Sequence, residues 1–278
     1  MSKIITHRSV SGKTKLMATR YIRSFFLGFM LVSFQIARSQ KDIVISDSLT
    51  VNGEKLNVKM GSHGFGKIWK FSFGEYGVAS GKMGWTINSA KGNFFNTKTE
   101  SKSTEKFSFL MTSKVNDSAT VNAANNILVQ SLQSMEIFPG FNWGTDELVQ
   151  ESRNFSAFII VNHDTSETWA LLMNMIRGSS VLVKDEALLT NGQRKILVVP
   201  TTSNLHGGDS RSLPALGYEF VENGQSLGAV QYYGGGSFGV NKNIVWISKP
   251  LDNRMKIILA AASTAILQLK ADPAGGQL

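Results

Sequence analysis

Hydrophobic positions alternate over short runs along most of this chain, and the one sustained exception lies near its end. In residues 255–270, Met255, Ile258, Leu259, Ala262, Ile266 and Leu269 share one face at helical spacing. Ile257, Ala261, Ala265 and Leu267 make the opposite face apolar as well. A helix apolar nearly all round is expected to be buried on every side. Asp252 stands where it caps the first turn, and Pro273, Gly275 and Gly276 stop the helix near Ala271. At ~1.5 Å per residue the helix is about 24 Å long, short for a membrane span, and Lys256, Ser263, Thr264 and Gln268 interrupt it. No transmembrane helix is therefore expected in the exported chain.

Before that helix the pattern is mostly of period two. Residues 43–51 alternate through Ile43, Ile45, Leu49 and Val51, and Asn52-Gly53 predicts a hairpin into Leu56, Val58 and Met60. Residues 68–73 form a further strand, and the polar stretch 91–105 reads as an exposed loop. Phe107, Phe109 and Met111 predict a strand paired with residues 119–121. Residues 123–135 break the alternation, because Ile127, Leu128, Leu132 and Met135 share a helical face. An aromatic turn with Phe138, Phe141 and Trp143 follows. Strands 155–161 and 169–175 flank a polar turn. Asn191-Gly192 and Asn223-Gly224 then join further short strands, separated by a long polar loop at 200–214. Such spacing predicts antiparallel meanders and not βαβ units. The expected fold is mainly β: one domain over residues 40–278, an antiparallel barrel or roll of about twelve strands. It holds the buried C-terminal helix and one further helix mid-chain.

Charge changes the picture only after the N-terminus is set aside. Residues 1–23 are basic and lack acids, 24–37 are apolar, and Ala37-Arg38-Ser39 supplies the small residues a signal peptidase reads. Residues 1–39 are thus expected to be a secretory signal peptide cleaved before Gln40, with Met1 or Met17 as the start. The whole chain has 29 basic and 20 acidic residues. Seven basic residues fall within 1–39, which leaves 29 − 7 = 22 against 20, a net of +2. The excess of charge belongs to the export signal, so a nucleic-acid partner is not expected. The chain has no cysteine, which excludes disulfides, thiolate metal sites and a cysteine nucleophile. A secreted chain of this size without disulfides fits bacterial export to the periplasm or exterior.

The last fifty residues have a distinctive order: the hairpin 220–230, the strand 245–248, Pro250-Leu251, then the apolar helix. This order resembles the ending of the tubby-like group, which includes the plant LURP-one-related proteins and the phospholipid scramblases. The resemblance implies a C-terminal helix threaded through a closed barrel of about twelve strands. Several tubby-like proteins bind phosphoinositides through basic residues. This chain shows no matching basic cluster, so that function does not carry over.

Motifs for catalysis each lack a required partner. Gly235, Ser237 and Gly239 match G-x-S-x-G, yet a strand follows where a helix is needed and no histidine comes later. Gly61 to Lys67 match G-x-x-x-x-G-K, but Ile68 replaces the magnesium-binding hydroxyl. His63, His163 and His206 have no metal-ligand spacing, so neither a metal nor a cofactor is expected. Asp146, Glu147, Glu136 and Glu151 are sequence neighbours, which says nothing about a glycosidase pair across a cleft.

The expectation is a non-enzymatic binding or structural protein of the bacterial cell envelope, its ligand a lipid, a glycan or another envelope protein. Phe138, Phe141 and Trp143 are the candidate binding residues, since aromatics on a loop stack on sugars or enter a lipid interface. The alternative is a hydrolase of envelope material with a site in the 200–214 loop. There His206 would serve as acid or base, Asp209 as orienting group and Arg211 as anion clamp, with His63 as a distant partner.

Overall fold

The computed structural model describes residues 42–61, 68–92, 98–132, 135–138, 141–143, 147–178, 181–204, 214–235 and 241–271; within 92–98, 132–149 and 177–185 it describes the backbone alone. Residues Lys41–Leu278 form one compact unit.

An extended segment, residues 42–46, enters the short helix α1 (Asp47–Asn52), capped by Ser46 Oγ, which accepts from the Leu49 N–H at 3.4 Å. Strand β1 (Gly53–Asn57) is interrupted at Val58 and resumes as β2 (Lys59–Met60). Next come β3 (Phe71–Phe73), β4 (Tyr76–Met83), β5 (Ile87–Gly92), β6 (Lys98–Thr112) and β7 (Ser118–Leu132). A small hairpin, β8 (Met135–Phe138) and β9 (Phe141–Trp143), precedes β10 (Glu147–Val161), β11 (Thr168–Gly178) and β12 (Val181–Thr190). The chain ends with β13 (Lys195–Thr202), β14 (Leu216–Glu222), β15 (Gln225–Tyr233), β16 (Ile244–Ser248) and helix α2 (Asn253–Ala271).

All strands but β8 and β9, which pair with each other, form one antiparallel sheet in the order β1-β16-β15-β14-β13-β12-β11-β10-β7-β6-β4-β3-β2, with β5 paired to β6. The two ends of this path, β1 and β2, are consecutive in the chain with only Val58 between them. Residues 53–60 therefore join both ends, and the sheet is a nearly closed barrel. Counted as one stave, they reduce the thirteen strands of the path to 13 − 1 = 12.

Helix α2 fills the barrel. Its residues from Ile257 to Leu269 are all buried. They meet the inward side chains of the wall, among them Phe71, Met111, Trp169 and Phe220. An all-round apolar helix needs walls on every side, and alanines at 260–262 and 265 let the staves approach closely. Asp252 Oδ1 accepts from the Met255 N–H at 2.7 Å, the expected cap. Two of the buried polar residues on the helix have partners in the wall, Thr264 at Met111 Sδ and Gln268 at the Trp69 backbone. Gln268 Nε2 donates to Trp69 O at 2.6 Å and its Oε1 accepts from Trp69 N at 3.2 Å. At the helix end the Lys270 ammonium lies 5.0 Å from the Tyr232 ring centre, a position that also suits the carbonyl end of the helix dipole.

The structure corrects four local expectations. The stretch 43–51 is not a strand, because Ser46 caps a helix there and the alternation skips position 47. Asn52-Gly53 therefore ends a helix; Gly53 has φ −79° and its N–H bonds Leu49 O. Asn223 and Gly224, with φ of 50° and 79°, do form the tight hairpin turn the same dipeptide predicts. Residues 98–105, read as loop, belong to β6, whose polar residues sit in the ladder with β7. The expected mid-chain helix at 123–135 is strand through Leu132, so among the described residues the one helix besides α2 is α1 near the start of the unit. The apolar residues 127, 128 and 132 fit a helical face by coincidence of spacing. Pairing with long strands on both sides, β6 and β10, decides the matter.

Closure is uneven along the strands. β12 faces β11 over eight residue pairs but β13 over only three, Leu188–Leu197 to Thr190–Lys195. On the other side, β6 carries β4 along residues 107–112 and β5 along residues 99–104. Half of the wall is thus a closed barrel. The other half is an open antiparallel sheet, β5-β6-β7-β10-β11-β12, whose edges among the described residues are β5 and β12.

Candidate functional site

The outer surface of the barrel differs on its two sides. Over β14–β16 it is covered by the chain itself. Ile43 and Leu49 are buried there against Ala215, Ala229, Ile244 and Trp246. Gln231, fully buried, fastens this cover: its Oε1 accepts from Ile43 N at 3.0 Å and its Nε2 donates to Lys242 O at 2.7 Å. Gly217 permits the close approach, since a Cβ there would lie 2.7 Å from Ile43 Cδ1 and 2.3 Å from Val230 O.

Over β10–β13 the outer surface is bare. Where β12 and β13 part, a cleft of about 740 Å³ opens. Its floor is a cross-strand row, Ser156, Leu172, Leu188 and Leu197, each directly opposite the next. Beside it runs a polar row, Asn126, Asn154, Asn174 and Glu186, again directly opposed strand by strand. Neighbouring strands lie about 4.8 Å apart, so side-chain amides recur at that interval beside an apolar strip. Leu172 is 42% exposed and Leu197 56%, with Phe158 and Val199 exposed nearby. Asn174 Oδ1 is buried and finds no hydrogen-bond partner among the described residues. An unmet buried acceptor costs on the order of 1–3 kcal/mol, which a ligand donor at this position offsets. Of the described residues lining the cleft, only Glu186 is charged and only Ser156 carries a hydroxyl, with no histidine beside it to act as a base.

None of these residues was a candidate from sequence. The available signal was asparagine at the centre of apolar strands, Asn154 and Asn174, where the residue type is normally depleted. The binding candidates Phe138, Phe141 and Trp143 lie on the β8–β9 hairpin at the tip of the β7–β10 arm, with Phe138 opposite Phe141 and Met135 opposite Trp143. Only their backbone is described. His63, His206, Asp209 and Arg211 lie outside the described residues, as do residues 1–39. His163 is exposed in the β10–β11 turn with φ 60°. Glu151 pairs with Arg153.

The barrel end beside the N-terminus of α2 is closed by charge. Arg254 bonds Asp164 and Glu167, both at 3.0 Å. Glu167 also accepts from Asn191 Nδ2 and Trp169 Nε1. Arg194 grips Glu222 with two hydrogen bonds and lies 5.6 Å from the Trp169 ring centre. Hydrogen bonds from Ser166, and then Arg254, lower the pKa of Asp164. The Asn191 bond does most to lower that of Glu167, and the Arg194 bond that of Glu222. These pairs fasten turns together and do not line the cleft between β12 and β13. Compared with known protein families, curated proteins and solved structures, the chain matches none.

Proposed function

We propose that this chain is an exported bacterial binding protein of the cell envelope, that it works without catalysis, and that it takes a glycan in the cleft between β12 and β13. The observation that carries this is the buried, unmet acceptor of Asn174 within a row of amides beside an apolar strip. Sugar rings offer hydroxyl edges to such amides and C–H faces to the Leu172–Leu188–Leu197 strip. An exposed apolar strip of this kind on a soluble surface marks an interaction site. The signal-like residues 1–39 support export.

The test is binding to an array of oligosaccharides, with anionic and neutral phospholipid vesicles in parallel, for the purified protein and for Asn174→Ala and Leu172→Asp. Oligosaccharide binding that weakens at least about tenfold in both variants, with unchanged melting, is expected. Binding to vesicles alone would overturn the glycan assignment. Oligosaccharide binding indifferent to both substitutions would move the site elsewhere.

A further inference from the structure

We infer that copies of this chain associate head to tail, β5 of one copy adding to the open half of β12 of the next. The inference does not depend on the glycan reading. Two free edges of one sheet carry it. Beyond Ala187 toward Val181, β12 has β11 on one side and no described strand on the other. β5 has β6 on one side and no described strand on its far side, and residues 84–91 are all exposed. A free edge presents unpaired N–H and C=O groups, which template pairing with another strand.

Strand parity fits this pairing. β5 and β12 are five steps apart in a sheet whose every adjacent pair is antiparallel, so they run in opposite directions. Setting β5 of one copy beside β12 of the next continues the antiparallel alternation without a break. Apolar exposure fits as well. Ile87, at the start of β5, is 64% exposed, and Trp85 just before it is 92% exposed. Side chains of this kind on a free edge are what natural edges otherwise avoid. The edge of β12 that receives them borders the apolar cleft at Leu188 and Leu197.

Charge selects this pairing over its symmetrical rivals. β5 carries Lys91 as its one charged residue, a net of +1. The open half of β12 carries Lys184, Asp185 and Glu186, a net of +1 − 2 = −1. Pairing β5 with β5 sets two net-positive strands side by side and β12 with β12 two net-negative ones, whereas pairing the unlike edges sets opposite net charges together. A contact between two different edges is heterologous, so it propagates into a ring or a filament and does not stop at a dimer.

The absence of cysteine makes the test clean, because any disulfide formed comes from introduced residues. Asn88→Cys and Glu186→Cys are made as separate proteins, with Ile87→Cys and Ser89→Cys to cover the register. A disulfide needs Cα atoms about 4.4–6.8 Å apart, which only strand pairing or a comparable contact provides. Under mild oxidation, a mixture of a β5 variant with Glu186→Cys is expected to give a covalent dimer. The double variant Asn88→Cys/Glu186→Cys is expected to give a ladder. Light scattering of the cysteine-free protein should show mass rising with concentration, and Ile87→Lys should abolish that rise without changing the melting temperature. Three results would overturn the inference: no cross-link from any mixed pair, each variant linking only with itself, or a monomer by light scattering at every concentration.

Discussion

The two outer faces of this barrel are built from similar strands and treated in opposite ways. Over β14–β16, outward apolar residues such as Ile244 and Trp246 are roofed by Ile43 and Leu49, and Gln231 bonds the roof in place. Over β10–β13, the outward residues Leu172, Leu197 and Val199 have no roof among the described residues, and β12 and β13 part beside them. Outward apolar residues alone thus mark no site, because the chain can cover its own. The difference is whether a segment of the same chain has been spent on covering them.

Four substitutions, the last followed through a titration, test that contrast, beginning with the part both faces share. Ala261 is fully buried on α2 inside the barrel. Ala261→Asp places an unpaired charge there at a cost of several kcal/mol, and the protein is expected not to fold. A soluble Ala261→Asp protein with a cooperative melt would remove the buried helix from the account. Leu49→Ala then tests the roof. Leu49 is 1% exposed, and large-to-small changes at such positions cost about 2–5 kcal/mol. Leu172→Asp, on the bare face, should shift stability by no more than about 0.5 kcal/mol while removing ligand binding. Equal losses of stability at Leu49 and Leu172, read by denaturant unfolding, would erase the distinction between the faces.

The smallest effect is at the charged end. Asp164, Glu167 and Glu222 all have pKa values lowered in the folded chain. Their contribution is therefore present above the ordinary carboxylate range and is lost as pH falls through the lowered values. Exposed pairs contribute little, so Arg254→Ala is expected to lower the melting temperature by about 1–3 °C at neutral pH. The gap between Arg254→Ala and the parent should close as acid protonates the partners. A gap that persists at low pH would mean that Arg254 acts through packing.

The buried helix was legible because its apolar residues leave no polar face, and a helix of that kind has one place to go. Turns such as Asn223-Gly224 were legible because positive φ restricts the residue types. Two of the misread segments show where local pattern fails. Residues 98–105 look like a loop since Ser, Thr, Lys and Glu dominate, yet β7 on one side and β5 on the other hold them extended. Residues 123–132 match helical spacing, but pairing across three strands outweighs spacing within one. Of the cleft, the sequence carried only the sign of asparagines set within apolar strands. Asn126, Asn154, Asn174 and Glu186 are successively 28, 20 and 12 positions apart, and only the register of four strands sets them in a row.

The central claim is that the wall is closed on one side and open on the other. Amide hydrogen exchange, followed at a dilution where light scattering reads a monomer, tests it most directly. Amides of β15 and β16, paired on both sides, should be protected to the level of global unfolding. Alternate amides of β5 and of β12 between Val181 and Ala187 face an unpaired edge and should exchange orders of magnitude faster. Protection across the whole of β12 equal to that of β16 would mean that the edge is covered, and the open half, with its cleft, would not exist as described.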